Sequence, residues 1–104
     1  MNDVKARARK FRDDRDWSQF HTPENIAKAI NIEAGELLEH FLWDNKFDKE
    51  EVSDELADVM VYCLHMADCL GVDIEDIINK KMDKNEAKYP VDKAKGTSKK
   101  YTEL

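Results

Sequence analysis

Four carboxylates are the residues of this sequence best suited to chemistry: Glu33 with Glu36, and Glu55 with Asp58, each pair separated by two residues. On a helix that spacing puts both side chains of a pair on one side, a turn apart. Two such pairs on facing helices offer several hard oxygen ligands, a donor set that suits Mg²⁺ or Mn²⁺. The spacing alone says little, because 23 acidic residues in 104 produce such pairs by chance. Position says more. At about 100° per residue, Glu33 falls inside an apolar stripe of Ile26, Ile30 and Leu37, and Glu55 borders a second stripe beside Val59, Tyr62 and Met66. An ionised carboxylate in apolar surroundings is costly unless it is paired or binds a metal. Two readings stand side by side: a metal site, or buried salt bridges to Lys28, Lys46 or Lys81.

The ligand types narrow the metal reading. A di-iron bundle uses Glu-x-x-His pairs; the residues three before His21, His40 and His65 are Ser18, Leu37 and Tyr62. Zinc would need a Cys/His cluster, and none has the spacing. Oxygen-only ligation leaves magnesium, which commonly binds substrate phosphates. Around the acids stand Trp17, Gln19, Phe20 and His21, an aromatic stretch suited to stacking on a base or to plugging the end of a bundle. Trp43 shares that ambiguity. Lys80 to Asn85 supplies cations for phosphate, or simply a lysine-rich helix end that complements the dipole.

The elements that must position these residues are helices. Asp3 is expected to cap a first helix reaching about Asp16, with Val4, Ala8 and Phe11 on one face. Thr22-Pro23-Glu24 starts a second, expected to run to about Leu42: a capping hydroxyl, proline at the first position, then an acid near the positive dipole end. Asp48-Lys49-Glu50-Glu51 starts a third, which Gly71 ends. Asp73 to Asp76 starts a fourth, which stops before Tyr89-Pro90. Residues from about 91 to 104 are polar and lysine-rich, and are expected to form an extended tail. Gly35 sits mid-helix between acids, where close approach of a helix or ligand would account for it. The expectation is an all-α protein: one domain over residues 1–104, a four-helix bundle. Its second and third helices are apolar around so much of their circumference that a homo-oligomer follows.

Composition sets the outer bounds. A net charge of −6 argues against a nucleic-acid partner, which would call for clustered basic groups. No run approaches the roughly 18 apolar residues of a membrane span, and Met1 leads into a charged segment, so a cytoplasmic location without membrane partners is expected. Cys63 and Cys69 project about 120° apart on a helix, so they are expected as reduced thiols in or near the core.

Taken together, Glu33-x-x-Glu36 and Glu55-x-x-Asp58 resemble the signature of MazG-type nucleotide pyrophosphohydrolases. The stretch from Asp16 to His21, Glu33 to Leu37, Trp43, Glu55 to Val59, Lys81 to Asn85, Tyr89-Pro90 and Lys100 to Thr102 resemble the dCTP pyrophosphatase branch, from about Val4 to the C-terminus. The resemblance implies a four-helix MazG-like bundle assembled as a homo-oligomer, often a dimer of dimers. It implies Mg²⁺-dependent hydrolysis of a nucleoside triphosphate, dCTP-like, between the α and β phosphates, in nucleotide-pool house-cleaning. By the same resemblance Glu33, Glu36, Glu55 and Asp58 hold Mg²⁺, for which Mn²⁺ can substitute. Trp17, Gln19, Phe20, His21, Trp43 and Tyr62 form the base and sugar pocket, Lys81 and Asn85 reach the substrate, and Glu36 or Glu39 orients the attacking water. Animal members of the branch tend to have a histidine where this chain has Ala8, which bears on base preference. The alternatives are a dUTP or dATP preference, or a non-catalytic helical interaction protein whose acids form structural ion pairs.

Overall fold

The computed structural model describes residues 2–43 and 46–104. Its elements run α1 (Asn2–Asp14), a 3-10 turn (Ser18–Phe20), α2 (Pro23–Glu39), α3 (Lys49–Leu70), α4 (Ile74–Lys88), α5 (Val91–Ala94) and a second 3-10 turn (Tyr101–Glu103), with no strand among the described residues. None of these helices is long and apolar enough to cross a membrane. The chain forms two compact units, Met1–Gly71 and Val72–Leu104.

Local signals set most helix ends of the first unit. The Thr22 hydroxyl accepts the N–H of Asn25 at 3.2 Å, with Pro23 in the first turn of α2. Asp48 Oδ1 accepts the N–H groups of Glu50 and Glu51 at 2.9 and 3.1 Å and opens α3. Gly71, at φ 69°, closes it in the left-handed conformation that glycine adopts without a Cβ clash. Other ends differ from expectation. Helix α1 begins at Asn2, so Asp3 lies in its first turn and is not its cap. It ends at Asp14 because Asp16 takes φ 55°, while the N–H of Trp17 reaches Arg12 O (3.0 Å) and that of Asp16 reaches Asp13 O (3.0 Å). This is a Schellman closure, and the Trp17 ring packs edge-on against Phe11 at 5.6 Å, the apolar contact that goes with it. Helix α2 ends at Glu39 and not near Leu42; the N–H groups of His40, Phe41 and Leu42 bond three residues back, a tightened last turn.

Helix α3 is the centre of this unit, since both α2 and α1 pack on it. His40 lies 3.9 Å from Glu51 on one side and His21 O accepts the Cys69 thiol at 3.1 Å on the other. Rising numbers on one flank therefore meet falling numbers on α3, which makes α2 and α3 antiparallel. Ile26 on α2 is 1% exposed, and Leu64 and Ala67 on α3 are also buried. Leu56 and Leu70, also on α3, are exposed. Cys63 is half-buried and Cys69 exposed, both free thiols, so Cys69 is not in the core. Helix α1 is held by charge: Arg9 Nη2 and Nε meet Asp68 at 2.7 and 2.9 Å, and Arg12 Nη1 reaches it at 3.3 Å. The Arg9 hydrogen bonds, followed by the charges of Arg9 and Arg12, hold the Asp68 carboxyl below its usual pKa.

In the second unit, Asp73 caps α4 by accepting the N–H of Asp76 at 3.1 Å, and α4 stops at Lys88, ahead of Tyr89-Pro90. The tail is more ordered than its composition suggests. It contains α5, and the Tyr101 ring packs edge-on to Tyr89 at 6.1 Å beneath the Lys88 ammonium, 4.7 Å from its centroid. Aromatic and cation–π contacts supply what apolar periodicity does not.

A Cβ placed on Gly35 meets nothing within 4 Å, so no close approach within this chain accounts for that glycine; Gly71 is equally open but at positive φ. One substitution should therefore have opposite signs. Gly35→Ala should stabilise the chain by about 1 kcal/mol and Gly71→Ala should destabilise it by about 1 kcal/mol, read as shifts in urea midpoint at constant slope.

Candidate metal centre and adjoining clefts

The antiparallel pairing brings Glu33 of α2 to Glu55 and Asp58 of α3. One carboxylate oxygen from each lies within 4.8 Å of the other two. Glu33 and Glu55 are half-buried and Asp58 is exposed, so the cluster has a closed side and an open one. Glu33 Oε2 and Glu55 Oε2 are buried and find no hydrogen-bond partner among the described residues. Leaving a buried acceptor unmatched costs about 1–3 kcal/mol, more for a charged group. Lys28, one of the cations that could have neutralised the acids, pairs with Glu24 at 3.1 Å. Burial, then the neighbouring carboxylates of Glu36 and Glu55, push the Glu33 carboxyl up to about 7. Converging oxygens, two of them buried without a hydrogen-bond partner among the described residues, fit a hard divalent cation.

Two clefts adjoin the cluster. Glu36, Glu39, His40 and Glu55 line a polar one of about 310 Å³. Glu36 is therefore beside the cluster and acts electrostatically on Glu33, while the three closest ligand atoms come from Glu33, Glu55 and Asp58. On the other side, Asp58 shares a cleft of about 130 Å³ with Phe11, Trp17, His21, Val61, Tyr62 and His65. A wider apolar cleft of about 410 Å³ continues from Phe11, Asp58 and Val61 to Val4, Arg7 and Ala8.

The fold thus gathers Trp17, His21 and Tyr62 beside Asp58, but not every residue expected there. The Gln19 amide donates to Asp16 O at 2.9 Å and to Asp16 Oδ2 at 3.0 Å, bracing the turn that follows α1. Phe20 is 60% exposed and Trp43 92% exposed, and neither lines these clefts. Lys81 and Asn85 lie one turn apart on α4 in the second unit, with Asn85 half-buried. Phe11, Val61 and His65 were missed as cleft residues. Helical spacing held the signal for two of them: Val61 and His65 follow Asp58 at +3 and +7 on α3, the face that also bears Tyr62.

His65 is 4% exposed and its ring centroid lies 4.8 Å from that of His21. The Nδ1 atoms of both rings are buried without a hydrogen-bond partner among the described residues. Burial, then the nearby Arg12 charge, lowers the His21 pKa; burial, then His21 and Arg12, lowers that of His65. Both rings are thus held neutral near pH 7.

An all-helical chain built around carboxylates converging between two antiparallel helices defines a class: an acid-centred α protein with clefts on either side of the acids. The chain belongs to the MazG-like family, which it matches over residues 28–104. It is 34% identical over 114 residues to dCTP pyrophosphatase 1 of Homo sapiens and 33% identical to that of Mus musculus, each alignment taking in all of this chain and 67% of the relative. Among solved structures it is similar to a pyrophosphatase from Archaeoglobus fulgidus, with 40% identity and a TM-score of 0.77, covering 86% of this chain and 92% of the other.

The titrating groups have opposite signs. Glu33 stays protonated in the folded chain between its ordinary value near 4.5 and about 7, so metal-free stability falls as pH rises through that window. The histidines, lowered from 6.5, act the other way: stability is lost as pH falls below 6.5 and the unfolded chain takes up protons first. In chelator-treated protein, Glu33→Gln should remove the first trend and leave the second, measured by urea unfolding from pH 5 to 8.

Proposed function

We propose that the protein is a nucleoside triphosphate pyrophosphohydrolase that converts a dCTP-like substrate and water to the monophosphate and pyrophosphate, in nucleotide-pool house-cleaning. The observation that carries this reading is the Glu33–Glu55–Asp58 cluster with its two orphaned buried oxygens, in a member of the MazG-like family. The dCTP pyrophosphatases and the pyrophosphatase to which the chain is similar point the same way.

In this reading Glu33, Glu55 and Asp58, with Glu36 beside them, hold Mg²⁺, or Mn²⁺ in its place. An ion held there would supply charge neutralisation at the phosphates and help to activate the attacking water. Glu36 and Glu39 face the polar cleft next to Glu55, where either can accept a proton from the attacking water. Trp17, His21 and Tyr62 enclose the base and sugar beside Asp58. Phe11 and Val61 complete that wall, with His65 behind the His21 ring, and Ala8 leaves the neighbouring cleft wide. Lys81 and Asn85 reach the substrate as well, in one functional domain of 104 residues.

We further propose a cytoplasmic homo-oligomer, a dimer of dimers. Leu38 and Leu42 are 72% and 65% exposed, and Leu56 and Met60 are exposed as well, more apolar side chain than a short chain comfortably leaves in water. Phe20 and Trp43 reach substrate in that assembly. A free nucleotide, and not a nucleic-acid strand, suits the net charge of −6.

Pyrophosphate release measured across equal concentrations of dNTPs and NTPs should be greatest with dCTP and should require Mg²⁺. Orthophosphate as the sole product, or no turnover with any nucleotide, overturns the reading; preference for dUTP or dATP overturns only the base assignment. Glu55→Gln should reduce turnover by at least about 100-fold with the fold intact; an effect on stability alone would favour a structural role for the acids. Light scattering on the eluting protein should give four copies.

A further inference from the structure

Asp58, Tyr62, His65 and Cys69 form one stripe on α3, since steps of 4, 7 and 11 residues return to within an arc of about 60°. The stripe begins at the carboxylate cluster and ends where the aromatic loop is moored. His21 closes that loop, and meets α3 at two points. Its carbonyl accepts the Cys69 thiol at 3.1 Å, and its ring lies 4.8 Å from the His65 ring at an interplanar angle of 49°. His65 also stands 6.3 Å edge-on to Tyr62, another wall of the same cleft.

The two contacts differ in what they hold. The Cys69 bond fixes only the loop backbone. Among the described residues no side-chain hydrogen bond fixes the His21 ring at Nδ1, a buried atom without a partner there, as is Nδ1 of His65. The His65 ring lies against the His21 ring, centroid to centroid at 4.8 Å. His65 itself is 4% exposed and set in a helix, so it has little room to move.

We propose that His65 is a positioning residue: by backing the His21 ring it fixes the cleft wall and thereby sets the affinity for the nucleoside end of the substrate. This rests on the reading that the cleft beside Asp58 receives base and sugar. The geometry separates the role from metal chemistry, since His65 lies two turns of α3 beyond Asp58. Loss of the ring frees His21 to turn into the vacated space, and the cost falls on binding.

Steady-state kinetics with Mg²⁺ and equilibrium binding of a non-hydrolysable α,β-methylene deoxynucleotide test this in His65→Ala and His65→Phe. His65→Ala should raise KM and Kd about tenfold with kcat within about twofold and Mn²⁺ affinity unchanged. His65→Phe, which keeps a flat ring behind His21, should recover most of the loss. Unchanged KM, or a fall in kcat matched by weaker Mn²⁺ binding, overturns the proposal. If thermal melting shows that His65→Ala does not fold, His65→Gln replaces it with the same expectation. A ligand-free measurement separates this proposal from the functional reading: with Trp43→Phe as background, acrylamide quenching of Trp17 should increase in His65→Ala and return in His65→Phe. Unchanged quenching overturns the positioning role even in an active enzyme. Increased quenching in a protein that cleaves no nucleotide keeps the loop contact and overturns both the functional reading and the affinity role.

Discussion

Glu33 and Glu55 are forced together between two helices that also have to bury apolar side chains, and the rest of the first unit accommodates that conflict. Two like charges about 4 Å apart repel by about 4 kcal/mol at an effective dielectric near 20, and here both carboxylates have a buried oxygen without a partner. The chain relieves the conflict by protonation: burial first, and then the neighbouring carboxylates of Glu36 and Glu55, push the Glu33 carboxyl up to about 7. A divalent cation would relieve it more completely, by replacing repulsion with ligation and satisfying the orphaned lone pairs. Asp58, at the open side, gives the cluster its connection to the clefts.

This constraint assigns α3 two tasks. One face must bury Leu64 and Ala67. Another must present Glu55, Asp58, Tyr62 and His65 to clefts on either side of the acids. A helix of 22 residues has enough turns to do both, and its Asp48 cap and Gly71 terminus set where those turns begin and end. Helix α1 is drawn onto α3 by the two arginines on Asp68, and not by a buried apolar face of its own, since none of its residues is buried. That leaves Val4 and Phe11 to line a cleft.

The loop between α1 and α2 joins these parts. Its turn at Asp16, in the left-handed region, is braced by the Gln19 amide and by the Phe11–Trp17 contact. Its far end is tied to α3 through His21. Cleft-facing rings on a loop are held in place by such mooring, and any ligand they received would lose less affinity to ordering them. Gln19 holds the loop's shape through its amide's hydrogen bonds to Asp16.

The helices themselves were legible in the sequence. Thr22-Pro23, Asp48, Asp73, Gly71 and Pro90 are local signals that act through backbone hydrogen bonds and φ preferences, so they need no tertiary partner to be read. The aberrant position of Glu33 within an apolar stripe was also visible, because helical periodicity alone reveals it. The end of α1 escaped, since its left-handed residue is an aspartate where glycine is the usual marker. So did the order in the tail, which rests on Tyr89, Lys88 and Tyr101 meeting across a bend. Which acids converge, and which aromatic residues share a cleft with them, was decided only by the antiparallel packing of α2 on α3 and the return of the loop to His65. Those are contacts between residues distant in sequence, and no local spacing encodes them. The carboxylates were the sequence's own contribution; their grouping as Glu33, Glu55 and Asp58, with Glu36 set beside them, belongs to the tertiary fold.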